Sequence, residues 1–243
     1  MMNIAAIIPA RYGSTRFPGK PLAMIDGIPM IERVVRRVES AGVVDRVVVA
    51  TDDKRIEKLV LSFGSEVVMT SSKCVNGTER CLEALNKLSP RPDAIINVQG
   101  DEPFVHPDQL KELVRLINLP NTSIATLAHP MKESEKGRED KNCVKVVCDL
   151  QGYAVLFSRN TIPHASGPWL QHVGLYAYTS NTLEEIVQLQ PTESEKRESL
   201  EQLRWLEHGW KISLGLTNHQ TPSVDTPEDL EKVQVLIQRD KRL

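Results

Sequence analysis

The sequence lacks the features that mark several classes of protein. No apolar run approaches the roughly 18 residues that a membrane-spanning helix requires, and residues 1–8 are too short and uncharged for a secretory signal. A basic excess is missing too, because 30 lysines and arginines face 32 aspartates and glutamates. These absences argue against a membrane protein and a general nucleic-acid binder. We expect a cytoplasmic protein whose anion sites are local.

Cysteine is scarce, with four in 243 residues: Cys74, Cys81, Cys143 and Cys148. No two of them form a C-x-x-C pair and no histidine cluster accompanies them, so their pattern predicts no zinc site. A chain of this length can build its own core without a disulfide framework. We therefore expect free, buried thiols.

What the sequence does contain is a regular alternation of apolar strands and amphipathic helices through its first half. Strands are predicted at 4–8, 45–53, 66–70 and 93–103, with a helical segment after each. Strand–helix alternation with short connections favours parallel pairing and right-handed crossovers. The sequence therefore predicts an α/β fold with a Rossmann-like, doubly wound and mostly parallel sheet.

The second half of the chain changes character. Approximately residues 125–180 are strand-rich, with a charged loop at 131–142 and a hairpin turn in "DLQG". Residues 193–209 are predicted as a single helix, before a last strand and a final helix. Because there is no internal repeat or Pro/Ser-rich linker, we predict one domain over residues 1–243, with the strand-rich segment as an excursion from its sheet.

The stretch "IIPARYGSTRFPGKPL" (7–22) places Arg11, Arg16 and Lys20 within ten residues that contain no acid. It is not the familiar phosphate loop, because five residues separate its two glycines and Pro21 stands where Ser or Thr is required. The loop nevertheless leaves the carboxyl end of the first strand, where open α/β sheets bind ligands. Arg and Lys donate charge-assisted hydrogen bonds to phosphate, so the loop predicts a polyphosphate site. The alternative is a solvated basic loop.

Two aspartates could complete such a site. Asp101, in "NVQGDEP", follows the fourth predicted strand, and Asp225 precedes the final helix. Thr226 can cap that helix with Asp229 as its partner, which leaves the Asp225 carboxylate free. Paired carboxylates near a polyphosphate often hold Mg²⁺. On spacing alone, Asp101 could equally be a turn residue beside a glycine.

The longer motifs resemble one family. "IPARYGSTRFPGKPL", "VATDD", "NGTER", "NVQGDEP", "VKVV", "FSR", "IPH", "HVGLYAY", "LEQLRWLEHG" and "VDTPEDL" follow the order and spacing of the 3-deoxy-manno-octulosonate (Kdo) cytidylyltransferases. The resemblance spans nearly the whole chain. It implies a nucleotide-diphospho-sugar transferase type of fold and the reaction of CTP with Kdo to give CMP-Kdo and pyrophosphate, which activates Kdo for lipopolysaccharide biosynthesis.

The resemblance also implies roles for the opening loop and the aspartates. Arg11 and Lys20 would hold the triphosphate, Arg16 would face the reacting phosphate, and Asp101 and Asp225 would be the Mg²⁺ ligands. The nucleotide-binding residues that it implies are Ala10, Arg11, Ser14, Lys20, Gly77 and Arg80. No side chain stands out as a general base, a task that Mg²⁺ can take over by lowering the pKa of the attacking hydroxyl.

For the sugar acid, the resemblance implies Gln99, Arg80, Arg159, His172, Tyr176, Glu201 and Gln202. Alternatives exist for several of these residues. Arg80 could pair with Glu79 along a helix face, His172 could be a satisfied core histidine, and Glu201 could be a solvated helix residue. The strand-rich segment resembles the family's dimerisation region, which implies a homodimer with two-fold symmetry.

The chain departs from the family pattern in two places. The stretch at 163–172 is shorter than in many relatives, and "EDKNCVK" lacks a proline before its asparagine. Neither departure touches the phosphate or metal residues, so both bear on loop closure or dimer contacts.

Other functions remain as alternatives. The same transfer could act on 8-amino-Kdo or a nonulosonic (sialic-type) acid. Transfer to a hexose 1-phosphate would require an extra cation in place of His172 and Glu201. A catalytically silent nucleotide-binding regulator would be expected to lack Asp101, Asp225 or Lys20, and all three are present.

Overall fold

The computed structural model describes residues 2–14, 16–135, 137–164 and 166–240. Met1, Thr15 of the opening loop, Lys136 of the charged loop, Ala165 of the short stretch at 163–172 and the last three residues lie outside the described residues. Among the described residues, no helix is both long enough and apolar enough to cross a membrane.

Nine strands of the described residues form one large sheet with helices on both faces, and two further short strands form a separate hairpin. The strands are β1 (Ile4–Ala10), β2 (Met24–Ile25), β3 (Ile28–Pro29), β4 (Arg46–Thr51), β5 (Glu66–Met69), β6 (Ala94–Asn97), β7 (Ile124–Met131), β8 (Lys145–Cys148), β9 (Ala154–Ser158), β10 (Trp169–Thr179) and β11 (Ser213–Leu216). The α-helices are α1 (Met30–Ala41), α2 (Lys54–Ser62), α3 (Gly77–Leu85), α4 (Pro107–Ile117), α5 (Ser180–Val187), α6 (Glu193–Glu198), α7 (Gln202–Glu207) and α8 (Pro227–Asp240). A 3₁₀ turn spans Lys20–Leu22.

The central path of the sheet runs β11-β7-β10-β6-β1-β4-β5. β1 pairs in parallel with β4 and β6, while β10 is antiparallel to both of its neighbours on this path. The mostly parallel sheet predicted from strand–helix alternation is therefore confirmed. Its carboxyl-terminal edge, where β1 and β6 end side by side, is where ligands bind in such sheets.

Alternation along β1 explains the two helical layers. Ile4, Ala6 and Ile8 face a core shared with α1, α2 and α4. Ala5 and Ile7 face the opposite core, to which α3, α5 and α7 contribute. A strand that is buried on both faces and apolar throughout is typical of a central parallel strand. β1 is also paired on both sides, with β4 and β6, which fixes the start of the opening loop.

The strand-rich segment at 125–180 does not form a sheet of its own. β7 and β10 lie within the central sheet, and only the β8–β9 hairpin leaves its main path. The hairpin turns at Asp149, whose carbonyl accepts a hydrogen bond from the amide of Gly152, as the "DLQG" sequence predicts. Three apolar side chains of this hairpin, Leu150, Val155 and Leu156, are exposed.

Residues 193–209 are not one helix, and the prediction for this segment was wrong. The chain breaks between α6 and α7 at Ser199, whose φ of 52° is left-handed. Arg204 of α7 then folds back to pair with Glu195 of α6, and Leu200 is buried between the two helices. Burial and the ion pair hold a backbone conformation that serine rarely adopts.

The cysteine prediction is confirmed in part. All four cysteines are free thiols, but only Cys81 is fully buried.

Candidate active site

A cleft of about 340 Å³ opens at the carboxyl ends of β1 and β6. It brings together four segments that are distant in the sequence: the opening loop, "NGTER", "NVQGD" and the residue before α8. Its lining residues are Pro9, Ala10, Arg11, Ser14, Arg16, Lys20, Pro21, Cys74, Val75, Asn76, Gly77, Arg80, Gln99, Gly100, Asp101 and Asp225. All of the predicted nucleotide-binding and metal-binding residues thus lie at one site.

The opening loop is folded back on Tyr12. The carbonyl oxygen of Tyr12 accepts hydrogen bonds from the amides of Ser14 and Gly19, both at 2.9 Å. Gly19 has a φ of 73°, and a Cβ added there would lie 3.0 Å from the Tyr12 ring. Only glycine fits this close, left-handed position comfortably. The closed loop directs Lys20, the residue after Gly19, into the cleft.

Lys20 lies between the two predicted metal ligands. Its Nζ donates to Asp101 at 2.6 Å and to Asp225 at 3.2 Å. Arg16 also donates to Asp225, at 3.2 Å. Two of the cations predicted for the phosphates, Lys20 and Arg16, are therefore paired with the carboxylates that were predicted for the metal. Because the lining holds four arginine and lysine side chains and two carboxylates, the cleft keeps an excess of positive charge.

Backbone contacts hold the two carboxylates together. The amide of Val224 donates to the carbonyl of Asp101 at 3.0 Å, which ties the two segments to each other. Gly100 packs so closely on β1 that an added Cβ would lie 2.9 Å from the Pro9 carbonyl.

Thr226 and Asp229 form the predicted cap, with the Asp229 amide donating to the Thr226 hydroxyl at 3.3 Å. The prediction that Asp225 is not used as the cap is confirmed.

The carboxylate pair fits a divalent cation. Asp101 and Asp225 offer oxygen ligands that already converge on one positive group, the Lys20 ammonium. Their side chains are 27% and 38% exposed, which leaves room for the water ligands that Mg²⁺ retains. The donor set and its position beside the basic loop are those that Mg²⁺ prefers.

The opposite wall of the cleft is the amino-terminal end of α3. The Asn76 side chain caps the helix by accepting from the Glu79 amide at 2.8 Å. Glu201, from the start of α7, accepts from Asn76 at 2.9 Å and from the Thr78 hydroxyl at 2.7 Å. Burial raises the pKa of Glu201. The alternative of a solvated helix residue is therefore wrong, because Glu201 supports the wall that carries Gly77.

Arg80 lines the cleft with its side chain almost fully buried, at 3% exposed. It donates to the Thr70 hydroxyl at 2.6 Å and pairs with Asp52 at 3.2 Å. The suggested helix-face pair with Glu79 is not formed. Arg80 is thus fixed by the ends of the neighbouring strands, so its position in the wall is rigid.

Comparison with known proteins places this geometry in a family. A family model described as cytidylyltransferase matches residues 5–212. The 3-deoxy-manno-octulosonate cytidylyltransferase of Parabacteroides distasonis is 49% identical over 96% of this chain and 97% of its own length. The protein of the same name from Porphyromonas gingivalis is 46% identical over 95% and 94%. The chain belongs to the 3-deoxy-manno-octulosonate cytidylyltransferases.

Two further comparisons fit this assignment. The Arabidopsis thaliana 3-deoxy-manno-octulosonate cytidylyltransferase, described as mitochondrial, is 43% identical over 97% of this chain and 83% of its own length. A solved structure of CMP:2-keto-3-deoxy-manno-octonic acid synthetase complexed with CTP is 40% identical and superposes with a TM-score of 0.92, covering 98% of this chain and 99% of that one. The predicted fold is that of the family.

Within this cytidylyltransferase, the residues predicted for the sugar do not lie in one place. Gln99 and Arg80 line the first cleft. A second cleft of about 640 Å³ is lined by His172 and Glu102, among others. Tyr176 and Gln202 are buried, at 7% and 6% exposed.

Arg159 lies outside both clefts. It donates to the backbone carbonyls of Glu198 at 2.7 Å and Lys141 at 3.0 Å. These contacts tie the end of β9 to the end of α6 and to the charged loop. A direct role of Arg159 at the sugar stays a prediction.

The surroundings of His172 match the alternative of a satisfied core histidine. Its Nε2 lies 3.0 Å from the Thr126 hydroxyl, and its ring packs against Phe157 and Tyr176 at centroid distances of 5.0 and 5.5 Å. Burial lowers the pKa of His172 to about 3. The imidazole is therefore neutral at physiological pH, and its binding to the sugar stays a prediction.

Cys74 and Glu102 are among the lining residues of the clefts that had no predicted role. Cys74 lines the first cleft and donates to Glu83 at 3.2 Å, and burial raises the pKa of its thiol to about 11. Glu102 follows Asp101 directly but lines the second cleft. Burial and the charges of Asp101 and Asp225 raise the pKa of Glu102 to about 8. The adjacent acids in "GDE", at the end of a strand, were the available signal.

Proposed function

We propose that the protein transfers the cytidylyl group of CTP to Kdo, giving CMP-Kdo and pyrophosphate. The observation that carries this function is the single cleft in which three cations of the opening loop meet two convergent carboxylates. Relatives that are named for this activity are 43–49% identical to this chain, and the match covers 83–97% of their own length. Because those relatives are named for Kdo, 8-amino-Kdo and nonulosonic acids are not favoured as substrates.

The opening loop acts by binding and orienting the triphosphate. Arg11, Arg16 and Lys20 are the cations that neutralise its oxygens, and Ser14 adds a hydroxyl at the same wall. The hydroxyl of the sugar acid attacks the α-phosphorus and passes its proton to solvent, as the bond from that phosphorus to the leaving pyrophosphate breaks. Catalysis of this kind depends chiefly on position and on neutralisation of developing charge.

Asp101 and Asp225 would hold Mg²⁺. When bound there, Mg²⁺ supplies Lewis-acid neutralisation of the phosphate oxygens. Binding of the divalent ion and the triphosphate would require an exchange of side-chain partners. Lys20 and Arg16 would release the two carboxylates and bind phosphate oxygens instead.

The assembly is proposed as a two-fold homodimer. Leu150, Val155 and Leu156 support this proposal, because they are 101%, 53% and 43% exposed on one hairpin. Exposed apolar side chains grouped in this way are typical of protein interfaces. A cytoplasmic location and a role in lipopolysaccharide biosynthesis complete the proposal.

The function is tested by pyrophosphate release from CTP, with and without Kdo, at several Mg²⁺ concentrations. We expect release that needs both Kdo and Mg²⁺. It should fall at least 100-fold in Asp101→Asn, because that change weakens the site for the Mg²⁺ that would neutralise charge on the phosphate oxygens. Glu184→Gln is the matched control, since it removes a carboxylate that pairs with Arg91 outside the cleft. Pyrophosphate release with a nonulosonic acid but not with Kdo would show that the substrate is a nonulosonic acid. No release with any sugar acid would overturn the enzyme proposal.

A further inference from the structure

Three metal-ligating side chains meet near the amino-terminal end of α4, away from the cleft. The Oδ2 atom of Asp108 lies 3.6 Å from Nδ1 of His106 and 3.4 Å from Nε2 of His219. One ligand atom from each of the three residues lies within 4.8 Å of the other two. We infer that His106, Asp108 and His219 form a binding site for a late first-row divalent metal ion of the Zn²⁺ class. None of the three lines the candidate active site.

The donor types select the metal. Imidazole nitrogens suit Zn²⁺, Ni²⁺ and Cu²⁺, whereas Mg²⁺ prefers oxygen ligands alone. Zn²⁺ binds nitrogen and carboxylate oxygen at about 2.0–2.2 Å in tetrahedral sites, which places neighbouring ligand atoms roughly 3.4 Å apart. The two separations from Asp108 Oδ2 are 3.4 and 3.6 Å, which is close to this spacing. Two imidazoles and one carboxylate leave a fourth position for water.

Outer contacts hold the ligands in place. Lys111 donates to Oδ1 of Asp108 at 2.9 Å, which leaves Oδ2 facing the two imidazoles. Gln109 is fully buried and binds both histidine backbones: its side chain accepts from the His106 amide at 2.9 Å and donates to the His219 carbonyl at 3.1 Å. Such outer contacts orient metal ligands and raise affinity. The site therefore has supporting contacts around its three ligands.

Metal binding requires one local rearrangement. The two imidazoles are stacked, with centroids 3.4 Å apart and ring planes 11° from parallel. Because the lone pairs lie in the ring planes, one ring must turn before both can bind the same ion. Both side chains are 37% exposed, so the turn is sterically open. The ion would also replace the hydrogen bond that the Asp108 amide donates to Nδ1 of His106 at 3.2 Å.

The cluster joins two parts of the chain. His219 lies on the segment 217–224, between β11 and α8, that leads to Asp225. A bound ion would thus tie α4 to that segment and stabilise the folded protein.

The test is a calorimetric titration of the full chain with ZnCl₂ in excess Mg²⁺, which competes for the carboxylates of the cleft. His106→Asn removes an imidazole but keeps a good helix cap, and His219→Gln removes the other. His164→Gln is the control, since His164 is exposed and outside the cluster. We expect one Zn²⁺ per chain in the wild type and the control, with affinity at least tenfold weaker in both cluster variants.

A second readout keeps the proposal testable if a cluster variant folds poorly. Co²⁺ in a tetrahedral site of this kind should give visible absorption bands in the wild type, and Asp108→Asn should reduce them while leaving both imidazoles. Failure of the wild type to bind Zn²⁺ in excess Mg²⁺, or binding that persists unchanged in His106→Asn and His219→Gln, would overturn the proposal. Neither outcome bears on CTP turnover, so the cytidylyltransferase function is tested separately.

Discussion

The guanidinium of Arg55 lies 3.3 Å from the centroid of the Tyr12 ring. Arg55 is itself held by Asp53, to which its side chain donates at 2.9 and 2.6 Å. Asp53 caps α2 by accepting from the Arg55 amide. The amino-terminal end of α2 thus supports one side of Tyr12, and the opening loop closes on the Tyr12 carbonyl. We therefore expect Arg55 to position the loop, although it does not line the cleft.

Arg55→Ala should raise KM for CTP about fivefold, the change in an equilibrium constant expected from losing an exposed cation–π contact. The loop must be ordered to bind the triphosphate, so the loss should appear in KM for CTP. KM for Kdo and kcat should change little. Steady-state kinetics with each substrate varied in turn measures the split. Arg36→Ala is the matched control, since Arg36 stacks on Phe63 at 5.4 Å outside the cleft.

Tyr12→Leu should have the same effect as Arg55→Ala, and the double variant should be no worse than either. Equal losses in all kinetic constants together with a lower Tm would instead indicate a general structural role and refute the positioning role of Arg55.

Lys20→Met should lower kcat/KM by at least 100-fold, because it removes a cation from the triphosphate site. It also leaves Asp101 and Asp225 facing each other with one cation fewer. We therefore expect Mg²⁺ to raise the Tm of Lys20→Met more than that of the wild type, as measured by thermal unfolding at increasing Mg²⁺. In Lys196→Met, which breaks an exposed pair with Glu193, the response to Mg²⁺ should be that of the wild type. An identical response in Lys20→Met would argue against a metal site at these carboxylates.

His172 makes stability depend on pH. Its pKa is lowered to about 3 in the folded protein, whereas an unfolded histidine has a pKa of about 6.5. Below about pH 6.5 the unfolded chain takes up a proton that the folded protein does not. The contribution of His172 to the free energy of unfolding is therefore complete above that pH and is lost as the pH falls. Urea unfolding at pH 7.0, 6.0 and 5.0 measures the free energy of unfolding. As the pH falls, it should decrease less steeply in His172→Gln than in the wild type, by up to about 1.4 kcal/mol per pH unit. Parallel curves for the two proteins would contradict the buried neutral imidazole.

Gly100→Ala should impair activity without unfolding the protein. An added methyl would lie 2.9 Å from the Pro9 carbonyl, so the chain must shift where Asp101 begins. A shift of this kind in a positioned group can cost on the order of 100-fold in rate. Gly174→Ala is the comparison, because a methyl there meets no atom within 4 Å. Wild-type kcat in Gly100→Ala would show that the close approach is not needed.

Local sequence patterns were sufficient for the sheet. The apolar run at 4–8 predicted β1, because a strand buried on both faces leaves a strong apolar signal. The run at 66–70 predicted β5, although this edge strand is only partly buried. The hairpin of β2 and β3 was missed, since its strands have two residues each. The break at Ser199 was missed as well, because serine does not signal a left-handed conformation and the long-range pair of Arg204 with Glu195 accompanies it.

The cleft was predictable in part, for a physical reason. Loops that follow parallel strands meet at one edge, so Arg11 and Asp101 could be placed together from topology alone. The contacts of Glu201 with Asn76 and Thr78 join residues more than 120 positions apart, and no local pattern encodes them. The metal-ligating cluster shows the same limit, since His219 joins His106 only through the folded chain.

The hydrogen bond from the Val224 amide to the Asp101 carbonyl depends on the order in which the chain is made. Asp101 emerges from the ribosome early, with the strands that form the first part of the sheet, whereas Asp225 follows β11 and is synthesised among the last elements described. Until that late segment docks, Lys20 has one carboxylate partner in place of two. The nascent chain can therefore assemble most of its sheet while the candidate active site still lacks one of its two carboxylates, and the cleft is complete only after the segment that follows β11 has docked.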